Sequence, residues 1–172
     1  AHAIYKIDAA GVKSVLVQNE QFKGEGFTMN GLDVHPDGYL LVAKKSDGKL
    51  FKVPLDAPKK FTAVKLPEPI TAGDGILLAG GDLVIIRNRT ATVAANEILV
   101  LRSVDGWSSA SIAERKPHED NYPTTATLRG NQIITVASRI NALLATLKDN
   151  PGGLQQEFQI HTIGTIGADR KE

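Results

Sequence analysis

FTMNGLDVHPDGYLLVAKKSDGKLFKV, residues 27–53, poses the question whose answer decides the fold. Asn-Gly ordinarily marks the tip of a two-residue hairpin, with alternating apolar residues on both sides. Asn30-Gly31 has such a run after it and loop composition before it, Lys23-Gly24-Glu25-Gly26. The hairpin in this stretch is made instead by Pro36-Asp37-Gly38, which joins a short apolar run to a longer one. Asn30 is therefore expected at the front of a strand, where a connection ends.

The same layout returns twice. GLDVHPDGYLLVAKK from Gly31, GILLAGGDLVIIRN from Gly75 and ATLRGNQIITVAS from Ala126 each read as a short strand, a turn and a longer strand. Each pair is followed by a third run (49–54, 97–103, 141–146) and a fourth (61–66, 109–114, 157–162). Helix propensity alone would allow a helix over 140–148, but the repeat reads this segment as strand. A spacing of about 43 to 50 residues falls where four-stranded propeller blades fall. The expectation is an all-β chain forming a single partial β-propeller domain, with full blades over 30–66, 74–114 and 124–163. AIYKIDAAGVKSVLVQ supplies a strand, a turn and a strand, so 1–20 reads as half a blade and the total as about three and a half. An unclosed ring leaves strand edges unpaired at both ends. Either an upstream chain or a second subunit supplies the missing blades, and the former is the expectation.

Composition narrows the function. Lys plus Arg number 20 against 19 Asp plus Glu, so no strong field draws in nucleic acid or an anionic membrane. Cysteine is absent, which excludes disulfides, thiolate metal sites and thiol nucleophiles. No apolar run approaches the roughly 20 residues that span a bilayer, so a soluble chain is expected and its compartment stays open. No G-x-S-x-G elbow, Walker loop, G-x-G-x-x-G or H-E-x-x-H is present. At 172 residues the chain can bury roughly 70% of its unfolded surface in a core.

NGLDVHPDGYLLVAKKSDGKLFKVPL, ITAGDGILLAGGDLVII and YPTTATLRGNQIITVAS together resemble successive blades from the C-terminal half of the SMP-30/gluconolactonase/LRE family. That resemblance implies a six-bladed propeller and a metal-dependent lactonase, or a related esterase or phosphotriesterase, acting on a small-molecule lactone or ester. It further implies that Asn30 and Asp74 ligate a metal at the central channel, Ca²⁺ first and Mg²⁺ or Zn²⁺ as alternatives. A glutamate from the family's first blade, which has no counterpart here, would complete the ligands.

The repeat reaches the same two residues without the family. Gly31 and Gly75 occupy equivalent places, so Asn30 and Asp74 precede the innermost strands of adjacent blades, at one end of the channel. A carboxylate and an amide carbonyl are hard donors suited to Ca²⁺ or Mg²⁺. A metal held there would polarise a lactone carbonyl, and Asp74 could take a proton from the attacking water as the catalytic base. The plainer reading is that Asn-Gly and Asp-Gly are common turn dipeptides. Candidate substrate contacts are Thr124 and Thr125, the latter at the third equivalent position, with Asn88 at the end of a second strand and Tyr122 at the channel mouth. A non-catalytic binding module, or a fragment lacking part of its site, is the alternative to the enzyme. Three further readings concern packing and solvent: KKSDGKLFK as the wet face of a hairpin, His118 in the solvated loop KPHEDNYP, and Trp107 as a packing residue. Asn88-Arg89-Thr90 also matches a glycosylation sequon.

Overall fold

Leu40, Leu41, Val42 and Ala43 are all buried, although side chains in a strand alternate between two faces. Such a strand has to be covered on both sides, and the arrangement of sheets shows how. The computed structural model describes residues 2–119, 122–138, 140 and 158–165. Its strands are β1 (Ala3–Ile7), β2 (Lys13–Gln18), β3 (Met29–His35), β4 (Tyr39–Lys44), β5 (Lys49–Pro54), β6 (Thr62–Ala63), β7 (Gly73–Ala79), β8 (Asp82–Arg89), β9 (Ala94–Arg102), β10 (Ser111–Pro117), β11 (Pro123–Arg129), β12 (Gln132–Ala137) and β13 (Gln159–Thr165). They pair antiparallel in four sheets, ordered β1-β2, β3-β4-β5-β6, β7-β8-β9-β10 and β11-β12-β13. These are the blades of a partial β-propeller.

Three cores lie between the sheets. Leu40 and Val42 of β4 pack toward the first sheet with Ile4, Val17, Phe22, Phe51 and Val53. Leu41 and Ala43 of the same strand face the other way, onto Leu83, Ile85, Leu99 and Leu101 of the third sheet. Val84, Ile86, Ile98 and Val100 then meet Ile133 of the last sheet. The expected packing role of Trp107 holds, since it lies in the middle core at an outer turn. Among the described residues no helix is long and apolar enough to cross a membrane.

One strand assignment changes. The run expected as the fourth strand of the last blade, 157–162, contributes to β13, which pairs directly with β12 and so is the third strand in order. The strand expected at 141–146 lies outside the described residues. In addition, β3 and β7 begin earlier than the apolar pattern suggests, so Asn30 and Asp74 sit inside the inner strands and not ahead of them.

They do so because each inner strand carries a bulge at the same place. One extra residue is accommodated between Met29 and Leu32 in β3, between Gly73 and Ile76 in β7, and between Pro123 and Thr125 in β11. A bulge bends its strand and re-aims side chains, a device common beside active sites. It also explains the glycines. A Cβ on Gly31 would collide with the Asp74 carbonyl oxygen and lie 2.8 Å from the Ile76 nitrogen. One on Gly75 would lie 2.6 Å from the Thr124 carbonyl oxygen and 2.7 Å from the Thr125 Cα. Glycine stands at both places because backbone packs on backbone between neighbouring blades. Gly31→Ala and Gly75→Ala should therefore each destabilise the fold by about 2 kcal/mol through overpacking, measured by urea unfolding; unchanged midpoints would refute this close approach.

Candidate functional site at one end of the channel

The residue that follows β4, and its counterparts in β8 and after β12, return the chain to the start of the inner strand. The backbone N–H of Lys45 donates to Thr28 O at 2.7 Å, that of Asn88 to Ala72 O at 3.1 Å and that of Ser138 to Tyr122 O at 3.2 Å. Lys45, Asn88 and Ser138 are thus equivalent, each beside a bulge. Asn30, Asp74 and Thr124 are the bulge residues themselves. The registers place Thr124 at the position of Asp74, and Thr125 at that of Gly75, one residue away from the superposition made on sequence alone.

From these positions a polar chain runs from blade to blade. Lys45 Nζ donates to Asp74 Oδ2 at 2.9 Å and to Asn88 Oδ1 at 2.6 Å. Asn88 Nδ2 donates to Asp74 Oδ2 at 2.5 Å and to the Pro123 carbonyl at 2.9 Å. The amide orientation follows from its partners, because the opposite one would set an oxygen against two acceptors. At the next equivalent position the buried Ser138 Oγ has no partner among the described residues. The side chains of Lys45 and Asp74 are only 6% and 18% exposed, so the pair is largely withdrawn from water.

Tyr122 borders the same group. Its backbone takes a left-handed conformation, φ 62°, and its ring lies 5.9 Å from Lys45 Nζ. Burial, reinforced by the charge of Asp74, pushes the phenol above its usual value, so it remains a neutral donor over the ordinary pH range. Asn30 is half-buried, and its side chain has no hydrogen bond among the described residues. Thr124 Oγ1 makes only a long contact, 3.5 Å, with Val136 O, and Thr125 is exposed. Of the expected site residues, Asp74, Asn88 and Tyr122 are brought together directly around Lys45.

Three sequence readings are corrected here. KKSDGKLFK is not a wet face throughout: Lys44 and Lys45 are each 5% exposed, and Lys44 Nζ bonds Gln21 O and Asp47 Oδ2, both at 2.9 Å. The lysines end a strand covered on both faces, so the core draws them inside, where each finds a carboxylate. His118 is not in a solvated loop. It is 7% exposed and within hydrogen-bonding distance, 2.9 Å, of Thr135 Oγ1. The sequon at Asn88 is inaccessible in the folded chain, since Asn88 is fully buried.

This set does not fit a divalent cation. Among the described residues no three His, Cys, Asp or Glu side chains gather. The one carboxylate at the hub already receives an ammonium and an amide on Oδ2. Each unit of charge placed about 4 Å from an ammonium costs roughly 4 kcal/mol at an effective dielectric of about 20, so a divalent ion meets about twice that. The oxygen of Asn88 faces the lysine as well, so of the two expected ligands only Asn30 has an amide without a hydrogen bond among the described residues.

No protein-family model matches the sequence, and no curated protein matches it. Solved structures do share its architecture. A calcium-binding protein, regucalcin, from Agrobacterium tumefaciens superposes with a TM-score of 0.64 at 15% identity, over 95% of this chain and 52% of that one. The Malassezia sympodialis allergen Mala s 1 gives 0.62 at 16% identity, over 93% and 48%. Virginiamycin B lyase from Staphylococcus aureus gives 0.56 at 19% identity, over 78% and 41%. These are β-propeller proteins, and at such identities the likeness establishes the fold alone. The chain spans about half the length of each of these structures.

The buried pair yields a stability test. Asp74→Asn leaves the Lys45 ammonium without its counter-charge and should cost about 3 kcal/mol or more. Lys45→Met combined with Asp74→Asn should restore much of that loss, measured by denaturant unfolding as a double-mutant cycle; simple additivity of the two changes would show that the pair is not coupled.

Proposed function

We propose that this chain contributes to a six-bladed propeller of the SMP-30/gluconolactonase kind, and that its channel end binds a small lactone or ester and hydrolyses it. The observation that carries this reading is the convergence of a carboxylate, an amide and a neutral phenol around Lys45, beside the bulges at one end of the inner strands. Likeness to regucalcin supports it at the level of fold. A six-bladed ring also accounts for the apolar faces at the two ends of the stack. Tyr5, Ile7 and Val15 are 49%, 67% and 52% exposed on the first sheet, and Ile160 is 73% exposed on the last. Further blades, from the same chain or a second subunit, would cover them.

The chemistry needs a carbonyl acceptor held in place, an activated water and somewhere for its proton to go. The uncommitted amide of Asn30 can donate to the carbonyl oxygen. The free oxygen of Asp74 can take a proton from water as that water adds to the carbonyl carbon. The tetrahedral adduct then collapses, the C–O bond of the ester breaks, and the departing alkoxide recovers the proton from Asp74 to give a hydroxy acid. Divalent metal assistance, which the family resemblance implies, would require donors beyond the described residues and release of Asp74 from Lys45. A second reading is favoured by the saturation of Asp74 Oδ2: the hub recognises such a ligand without cleaving it.

The two readings separate in one assay. Full-length protein supplied with simple γ- and δ-lactones and aryl esters should release acid, and Asn30→Ala should lower kcat/KM by roughly 100-fold, as loss of one oxyanion donor does. Saturable binding of a lactone without any acid release would establish the binding module instead.

A further inference from the structure

We infer that Lys45 stands where a metal would stand, so that the hub is metal-independent and presents an ammonium N–H to the carbonyl oxygen of its ligand. Two observations carry this. The ammonium is ligated as a cation would be, by Asp74 Oδ2 at 2.9 Å and Asn88 Oδ1 at 2.6 Å, from residues of the adjacent blade. An ammonium has three donors, and among the described residues the third meets no acceptor, although the side chain is only 6% exposed. A buried charged donor left over in this way is costly unless something fills it. What lies near it is the face of Tyr122, whose ring is 5.9 Å away. A flat carbonyl compound set against that ring would bring an acceptor oxygen to the open N–H.

The tether distinguishes this cation from an ion. Lys45 is held by its own strand, beside the bond from its N–H to Thr28 O, so the charge cannot be removed by a chelator. It also carries a single charge, which balances Asp74 alone and does not call for a second carboxylate. Both properties follow from residues already on adjacent blades, and neither requires a donor from elsewhere in the ring. The ligand class rests on the reading in the preceding subsection; the metal-independence does not.

The test uses full-length protein freed of metal with EDTA. Millimolar Ca²⁺, Mg²⁺ or Zn²⁺ should move the thermal midpoint by less than about 1 °C, because an ion that does not bind the native state cannot stabilise it. A rise of several degrees that is lost in Asp74→Asn would overturn the inference. Should that variant fail to fold, loss of the rise in Asn30→Ala overturns it equally. In the second arm, hydrolysis should persist within about twofold in EDTA, Lys45→Met should reduce kcat/KM by roughly 100-fold, and Lys45→Arg should keep part of the rate. Turnover abolished by EDTA and restored by Ca²⁺ would sink the metal-free hub while upholding the hydrolase. Absence of any turnover, with no effect of metals on the midpoint, would sink the hydrolase while upholding the metal-free hub. EDTA-resistant turnover that survives Lys45→Met would remove the lysine from the carbonyl.

Discussion

Backbone contact between neighbouring inner strands is the constraint on which the rest of the architecture depends. Gly31 lies on the Asp74 carbonyl and Gly75 on that of Thr124, with no room for a Cβ at either place. Contact this close is possible only where strands from adjacent blades converge, at the narrow end of each wedge. The bulges at Met29/Leu32, Gly73/Ile76 and Pro123/Thr125 fall at the same level and bend each strand where the crowding is greatest. Polar side chains beside those bulges then have nowhere to go but toward one another. Fold and site thus share one cause: the glycines that let the blades approach also bring Asp74 within reach of Lys45.

Much of this was legible because the repeat is written in residue types whose physics is local. Asp37-Gly38, Gly80-Gly81 and Gly130-Asn131 supply turns of defined backbone, and the apolar runs between them have the lengths of strands. Asn30 and Asp74 could be paired because each precedes a glycine at an equivalent place. What the sequence did not disclose is that these glycines serve close approach, which is a property of two chain segments and not of either alone. The misplacement of Thr125 has the same origin. A bulge adds one residue without altering composition, so superposing apolar runs leaves the register free by one.

Lys45 was hidden for a different reason. Two lysines at the end of YLLVAKK look like a return to solvent, and charged residues are seldom buried. Their burial depends on whether the strand is covered on one face or two. The signal was nevertheless present: an unbroken apolar run, rather than an alternating one, marks a strand enclosed on both sides. Residues that continue such a strand begin inside, and a charge there must be paired. Lys44 finds Asp47 and the carbonyl of Gln21, and Lys45 finds Asp74 and Asn88.

The same contrast between enclosed and half-covered strands bears on how much of a ring is needed. In β4 every residue is buried, and in β8 every residue but the last, whereas β12 alternates between buried and half-buried along its length. Yet β12 reads Gln-Ile-Ile-Thr-Val-Ala, as apolar on its outward face, through Ile134 and Val136, as on its inward one. A strand selected to face water on one side would alternate apolar and polar residues. The outward face of the last sheet, and that of the first with Tyr5, Ile7 and Val15, therefore have the composition of interior surfaces. Ser138, whose buried Oγ lacks a partner among the described residues, stands at this same margin, at the position from which Lys45 and Asn88 each reach into the following blade. A neighbouring blade placed there would cover the apolar faces and bring backbone and side-chain groups up to Ser138.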